Sequence, residues 1–324
     1  MISSLVYRNN KLAARDPDPA TLAALRAEPG VMFWVDLSDP TPDEAKLVLA
    51  DTFHFHPLVI EDCMSDTPLP KLETLEECLY LVMHAVTSGG EKFFKTSDVD
   101  MFIGANFLVT HHHGPLREIE QVRDHYLKSP ALPVRGPDRF AHAILDAMVD
   151  GYKPLLEKLR RQAEHISQRV IEHIDAAELF PAVVSLRKQL SELGQIVRPQ
   201  RAVADALAHG KNKYIRPLML PYLRDLGEEL ERIDAQAAAL AEQAILSFRI
   251  FLSKSNKDAN AGIRVMTAIT ALTFPVLLVG SWYGMNFLDG MPELKTRYGY
   301  LVAALVVLLA TCGTWLFMRR KKWL

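Results

Sequence analysis

Trp282-Tyr283-Gly284-Met285-Asn286-Phe287, followed by Met291-Pro292-Glu293-Leu294, is the stretch that decides how the chain is read. It joins two apolar segments, residues 263–283 and 300–318. Each holds about 20 residues, and a helix rising about 1.5 Å per residue crosses the roughly 30 Å hydrocarbon core of a bilayer in that length. Residues 301–310 have no polar face, whereas the core helix of a soluble protein usually keeps one. Two membrane spans with a tight loop between them are the expectation.

Tyr283-Gly284-Met285-Asn286-Phe287, then Met-Pro-Glu-Leu, then a second span closing on Arg319-Arg320-Lys321-Lys322-Trp323-Leu324, resembles the CorA family of divalent-cation channels. The likeness extends upstream to His56-Pro57-Leu58-Val59-Ile60-Glu61-Asp62, Pro70-Lys71-Leu72-Glu73 and Val109-Thr110-His111. It implies a fold of an α/β cytoplasmic domain, long stalk helices and two transmembrane helices per chain, assembled as a funnel-shaped homopentamer around a central pore. The partners implied are further copies of the chain, the lipid bilayer and divalent cations. The ion is cargo rather than a cofactor.

Composition is compatible with this. At 324 residues the chain has room for one large or two modest domains, and a net charge of −2 gives a nucleic-acid partner no support. A mean hydropathy of +0.04 averages an apolar tail with a polar body. Cys63, Cys78 and Cys312 have no CxxC spacing and read as small packing residues of a reducing compartment. Met1-Ile2-Ser3-Ser4 opens no signal peptide. Lys254, Lys257 and Arg264 flank the first span and Arg319 to Lys322 follow the second, while Lys295 and Arg297 in the loop are offset by Asp289 and Glu293. The positive-inside bias then puts both termini in the cytoplasm and the loop outside the inner membrane.

The expected division is a cytoplasmic α/β domain over 1–140, a helical bundle and stalk over 141–262, spans at 263–283 and 300–318, an external loop at 284–299 and a basic tail at 319–324. Strands are predicted at 31–37, 78–86, 99–103 and 107–110, and a helix opens at Pro42 with Thr41 as N-cap. His111-His112-His113 invites a metal-site reading, in which only His111 and His113, on the same face of a strand, could share an ion; the plainer reading is a polar strand end before Gly114-Pro115. Apolar residues recur every three or four positions from Ala141 to Leu159 and from Leu179 to Val197, as in packed antiparallel helices. From about Tyr222 no proline interrupts the chain until Pro275, which predicts one helix of some 60 residues running into the first span.

Two spans cannot enclose a water-filled path alone, so a pore has to form at an oligomer axis. Counted back from the loop at helical spacing, one face of the first span reads Ser281, Leu277, Phe274, Thr270, Thr267, Ile263, Asn260. Its polar members suit a hydrated ion and its apolar ones a dewetting constriction. The alternative is that Thr267 and Thr270 hydrogen-bond to their own helix or across helices. In the family the Gly-Met-Asn motif is the outer filter, a role the resemblance carries to Gly284, Met285 and Asn286. A ring of neutral oxygens there holds the water shell of Mg2+, which dehydrates reluctantly, without stripping it. Taken without the resemblance, Asn286 is a helix C-cap. Asp289 and Glu293 form either an acidic ring that concentrates cations or ordinary solvated loop charges.

Two departures from the family pattern stand out. Leu288-Asp289-Gly290 makes the loop one residue longer, which shifts Glu293. Regulation in the family uses acidic pairs, one member matching Glu61 and Asp62, a candidate regulatory metal site. The other lies on the stalk, where residues 243–257 contain no Asp or Glu and Arg249 stands instead. Closure by internal Mg2+ is therefore expected to be weak. The same loss opens the ion question, because neutral oxygens do not by themselves exclude Zn2+, Co2+ or Ni2+, as in the related ZntB branch. A membrane-anchored scaffold or signalling protein is the competing class. No P-loop, GxGxxG or Ser-His-Asp order points to an enzyme.

Overall fold

A computed structural model of the chain describes residues 1–65, 69–89, 93–128, 136–171, 176–210, 212–285 and 297–321. They fall into two compact units, Met1–Ser247 and Phe248–Leu324.

The first unit is built on a seven-stranded sheet: β1 (Ile2–Arg8), β2 (Lys11–Arg15), β3 (Val31–Ser38), β4 (Lys71–Thr74), β5 (Cys78–Ser88), β6 (Phe94–Gly104) and β7 (Phe107–His112), in the order β2-β1-β3-β7-β6-β5-β4. Among the described strands only β3 and β7 pair in parallel. Seven of the eight residues of β3 are buried, as expected of a central strand covered on both faces.

Alternation along the strands assigns the two faces. Phe33, Val35, Leu37, Tyr80, Val82, Phe102, Phe107 and Val109 join one apolar cluster with α1 (Pro19–Arg26), α2 (Pro42–Lys46), the π-helical turn Leu47–Thr52 and α3 (Pro57–Met64). Phe55 stacks on Phe102 at 4.2 Å and Phe53 meets Phe107 at 4.9 Å. Burying each such ring stabilises by about 1.5–3 kcal/mol. The opposite face carries Trp34 and Tyr7 against Phe140 of α5 (Pro137–Asp150), with α4 (Arg117–Lys128) beside it. α2 starts where the sequence predicts, with a capping box between Thr41 and Glu44.

β4 pairs with Leu79 to Val82 of β5, and among the described residues no strand continues along that edge from His84 onward. Helix side chains take the place of a neighbour. The His84 amide donates to Gln200 Oε1 at 3.2 Å, Tyr152 Oη donates to the His84 carbonyl at 2.8 Å, and Gln200 Nε2 donates to Tyr152 Oη at 2.6 Å. Tyr152 opens α6 (Tyr152–Ile171) and Gln200 lies on α7 (Ala176–His209). The apolar run from Ala141 to Leu159 is thus shared by two helices, α5 and α6, with Gly151 between them.

The expected long helix is present as α8 (Leu220–Tyr283), 64 residues with Pro275 inside it. Within the first unit it buries Leu223, Leu226, Leu230, Ile233 and Ala237. Its polar side pairs with its neighbours through Glu229–Lys153 (2.9 Å), Glu231–Arg201 (3.1 Å) and Asp234–Arg198 (3.0 Å). The second unit holds the rest of α8 and α9 (Gly299–Arg320). Both helices contain a membrane-length apolar window, of mean hydropathy 1.8 and 2.3, of which only 11% and 6% is buried. Core helices of a soluble domain would be mostly covered, so both are candidate membrane spans by length, composition and exposure.

Candidate functional site: the two-helix unit and the α3 carboxylates

In the second unit, α9 sits against one side of α8. Val276, Val279, Gly280 and Tyr283 share a groove of about 590 Å³ with Tyr300, Ala303 and Val307, among others. At 100° per residue this side is opposite the row Asn260, Ile263, Thr267, Thr270, Phe274, Leu277, Ser281. All seven of those residues are exposed in the single chain, Leu277 to 68% and Phe274 to 60%. The row therefore faces away from α9 and mixes four polar with three apolar side chains along the span.

The Thr267 hydroxyl donates to the Ile263 carbonyl at 2.8 Å and the Thr270 hydroxyl to the Met266 carbonyl at 2.9 Å. Both hydroxyls bond their own helix, and each oxygen keeps its acceptor capacity. α8 ends at Tyr283, where the Gly284 amide bonds the Gly280 carbonyl at 3.0 Å and the Met285 amide the Trp282 carbonyl at 3.3 Å. Gly284 and Met285 lie at this exposed helix end. Asn286, Asp289 and Glu293 lie outside the described residues. At its other terminus α9 carries Arg319 and Arg320, with the Arg319 guanidinium 5.3 Å from the Trp315 ring centre, cations placed where the helix dipole favours them.

In the first unit, α3 carries Glu61, exposed, and Asp62, half-exposed. His56 caps the helix through Nδ1, which accepts from the Leu58 amide at 3.3 Å. Asp62 opens on a cavity of about 770 Å³ whose lining also holds Glu73, Glu76 and Glu77. This carboxylate is already matched. Lys71 Nζ lies 2.6 Å from Asp62 Oδ2 and 3.2 Å from Glu73 Oε1. Partial desolvation works against the charge, yet hydrogen bonds donated to Asp62 and Glu73 hold the Lys71 ammonium above its ordinary pKa.

The histidine run closes β7 as expected, and its first two members are covered. His111 and His112 are buried, at 0% and 2% exposure, and His113 alone reaches solvent. Each of the buried pair faces a carboxylate across the sheet: His111 Nδ1 lies 3.1 Å from Asp100 Oδ2, and His112 Nε2 lies 3.3 Å from Asp36 Oδ1. A third such pair joins His84 and Asp98 at 3.2 Å. Cys63, read as a packing residue, lies in the same cluster as Asp100 and His111. Cross-strand register makes these pairs, and no spacing in the sequence announces it.

With this geometry in place, comparison with known proteins is informative. Residues 29–320 match the family described as CorA-like Mg2+ transporter protein. The chain is 30% identical over 280 residues to a putative metal ion transporter, YfjQ, of Bacillus subtilis, covering 85% of this chain and 86% of that one. It is 24% identical over 294 residues to the cobalt/magnesium transport protein CorA of Thermotoga maritima, covering 90% and 83%. The CorA magnesium transporter from Methanocaldococcus jannaschii superposes with a TM-score of 0.78 at 18% identity, over 99% of this chain and 98% of that one. The cytoplasmic domain of ZntB from Vibrio parahaemolyticus has the same fold, with a TM-score of 0.59 at 14% identity over 70% and 88%.

Proposed function

Because the chain belongs to the CorA-like Mg2+ transporter family, a family of divalent-cation transporters, we propose that it carries hydrated Mg2+ through a homopentameric pore in the cytoplasmic membrane. The observation that carries this reading is the row from Asn260 to Ser281, exposed on the side of α8 away from α9 and running to Gly284 and Met285. In a symmetric ring that side of α8 faces the axis. Threonine and asparagine oxygens then meet the ion's water shell, and Ile263, Phe274 and Leu277 form the narrow apolar sections that gate it.

Gly284, Met285 and Asn286 act as the outer filter, where neutral oxygens bind the hydrated ion without holding it. Asp289 and Glu293 raise the local cation concentration outside, and both termini lie in the cytoplasm. Zn2+, Co2+ and Ni2+ form the second reading. It is supported by the name of the Thermotoga maritima relative for cobalt and by the shared ZntB fold for zinc. Glu61 and Asp62 retain the position of a regulatory metal site, and the 2.6 Å contact of Asp62 with Lys71 supports a lock that internal Mg2+ closes weakly.

The test is cation uptake into proteoliposomes loaded with Mg2+- or Zn2+-sensitive dyes, comparing wild type with Asn286→Ala. Mg2+ flux abolished by the substitution is the expected result. Zn2+ flux without Mg2+ flux moves the chain to the second reading, and flux of neither overturns both.

A further inference from the structure

We propose that Cys63, Asp100 and His111 form a binding site, separate from the transport path, for one borderline divalent metal ion of the Zn2+ and Co2+ class. The three come from α3, β6 and β7 and are 1%, 3% and 0% exposed. One ligand atom from each lies within 4.8 Å of the others, and among the described residues no other group of three His, Cys, Asp or Glu side chains converges in this way.

The donor set chooses the ion. Thiolate, imidazole and carboxylate together suit Zn2+ and Co2+, whereas Mg2+ demands an octahedron of oxygens. Thiolate and carboxylate carry two negative charges, so a divalent ion is neutralised by its own ligands, a requirement for a charge this deeply buried.

The surroundings fit a metal centre as well. Tyr80 Oη donates to Asp100 Oδ1 at 2.6 Å, fixing the carboxylate from outside as supporting hydrogen bonds do around metal ligands. Burial, with the Asp100 charge beside it, pushes the Tyr80 phenol far up, so it remains a donor. His111 reaches Asp100 through Nδ1 at 3.1 Å, so a ring nitrogen and a carboxylate oxygen already stand side by side, and its Nε2 is buried with no hydrogen-bond partner among the described residues. Burial likewise pushes the Cys63 thiol well up. Binding exchanges its S–H bond for an S–metal bond and releases the proton to solvent.

The experiment uses full-length, metal-stripped protein in detergent, titrated with Co2+ while the near-ultraviolet thiolate-to-cobalt charge-transfer band is recorded. A Cys78→Ser, Cys312→Ser variant keeps Cys63 as its one cysteine. The expected result is a band saturating at one Co2+ per chain in wild type and in this variant. Cys63→Ser should abolish the band, and His111→Gln should weaken Co2+ binding by about tenfold or more. Excess Mg2+ should not displace it. Absence of the band from the variant that retains only Cys63 overturns the proposal, and so does its persistence in Cys63→Ser. Because the readout is a bond to Cys63, it is independent of whether the chain transports Mg2+.

Discussion

Lys71 bridges Asp62 and Glu73, its Nζ 2.6 Å from one carboxylate and 3.2 Å from the other, so an ammonium stands among the acids of the α3 cavity. Removing that ammonium leaves two neighbouring carboxylates with mutual repulsion, which a divalent cation relieves. Lys71→Met is therefore expected to gain protection from limited proteolysis in millimolar Mg2+, where wild type gains little. Strong Mg2+ protection of wild type, lost in Asp62→Ala, would contradict the weak-lock reading.

Asp138, only 2% exposed, is held by Arg216 through its backbone amide (3.0 Å) and guanidinium (2.5 Å). Arg216→Met leaves a buried carboxylate short of its counter-charge. Breaking a buried pair costs about 3–5 kcal/mol, and the low end applies because Arg216 is partly exposed. Thermal melting of the detergent-solubilised protein should drop clearly. The double variant Asp138→Leu, Arg216→Met should recover part of the loss, since no lone charge then remains.

His142 supplies a pH dependence. Desolvation lowers its pKa from the ordinary 6.5, more than Asp146 and Asp225 raise it, with Arg139 adding to the depression. Below 6.5 the unfolded chain therefore binds a proton that the folded chain resists, and stability falls as pH drops toward the folded value. Desolvation raises the pKa of Asp146, which acts with the opposite sign: its contribution is present at low pH and lost as pH rises through its folded value. His142→Gln should flatten the fall in melting temperature below pH 6.5. An unchanged slope would remove His142 from the account.

Within the proposed pore, Phe274 and Leu277 are the bulky apolar members of the row. Phe274→Ser should wet that section and raise Mg2+ uptake about tenfold, the effect of lowering a barrier by roughly 1.4 kcal/mol. Val279→Ser, on the α9 side, should leave uptake much closer to wild type. Equal effects from the two substitutions would remove the assignment of the pore face.

The parts of the fold legible in the sequence were those where one local signal dominates. β3, β5 and β7 are apolar runs bounded by turn residues, and α8 is simply uninterrupted for 64 residues. β1, β2, β4 and α1 escaped. β4 has four residues with no buried position, and β2 is mostly exposed, so neither offers a hydrophobic period. The Asn260 to Ser281 row can be read as one helix face from periodicity, and the Gly284-Met285 end from a motif; their roles in a pore are proposed above. The meeting of Cys63 with Asp100 and His111 was not legible, because it depends on β6–β7 register and on where α3 packs. Residues far apart in the chain acquire that relationship only in three dimensions.

The borrowed edge of β5 also has a consequence in time. Gln200, which caps the His84 amide, lies 116 residues further along the chain. A ribosome adding about 5–20 residues per second needs roughly 6–23 seconds to cover that distance. Throughout this interval the nascent sheet has an uncapped margin able to pair with another chain, a liability in polysomes where sister chains emerge side by side. The protein's vulnerability to misassembly is therefore concentrated during synthesis, before the second half of α7 leaves the exit tunnel.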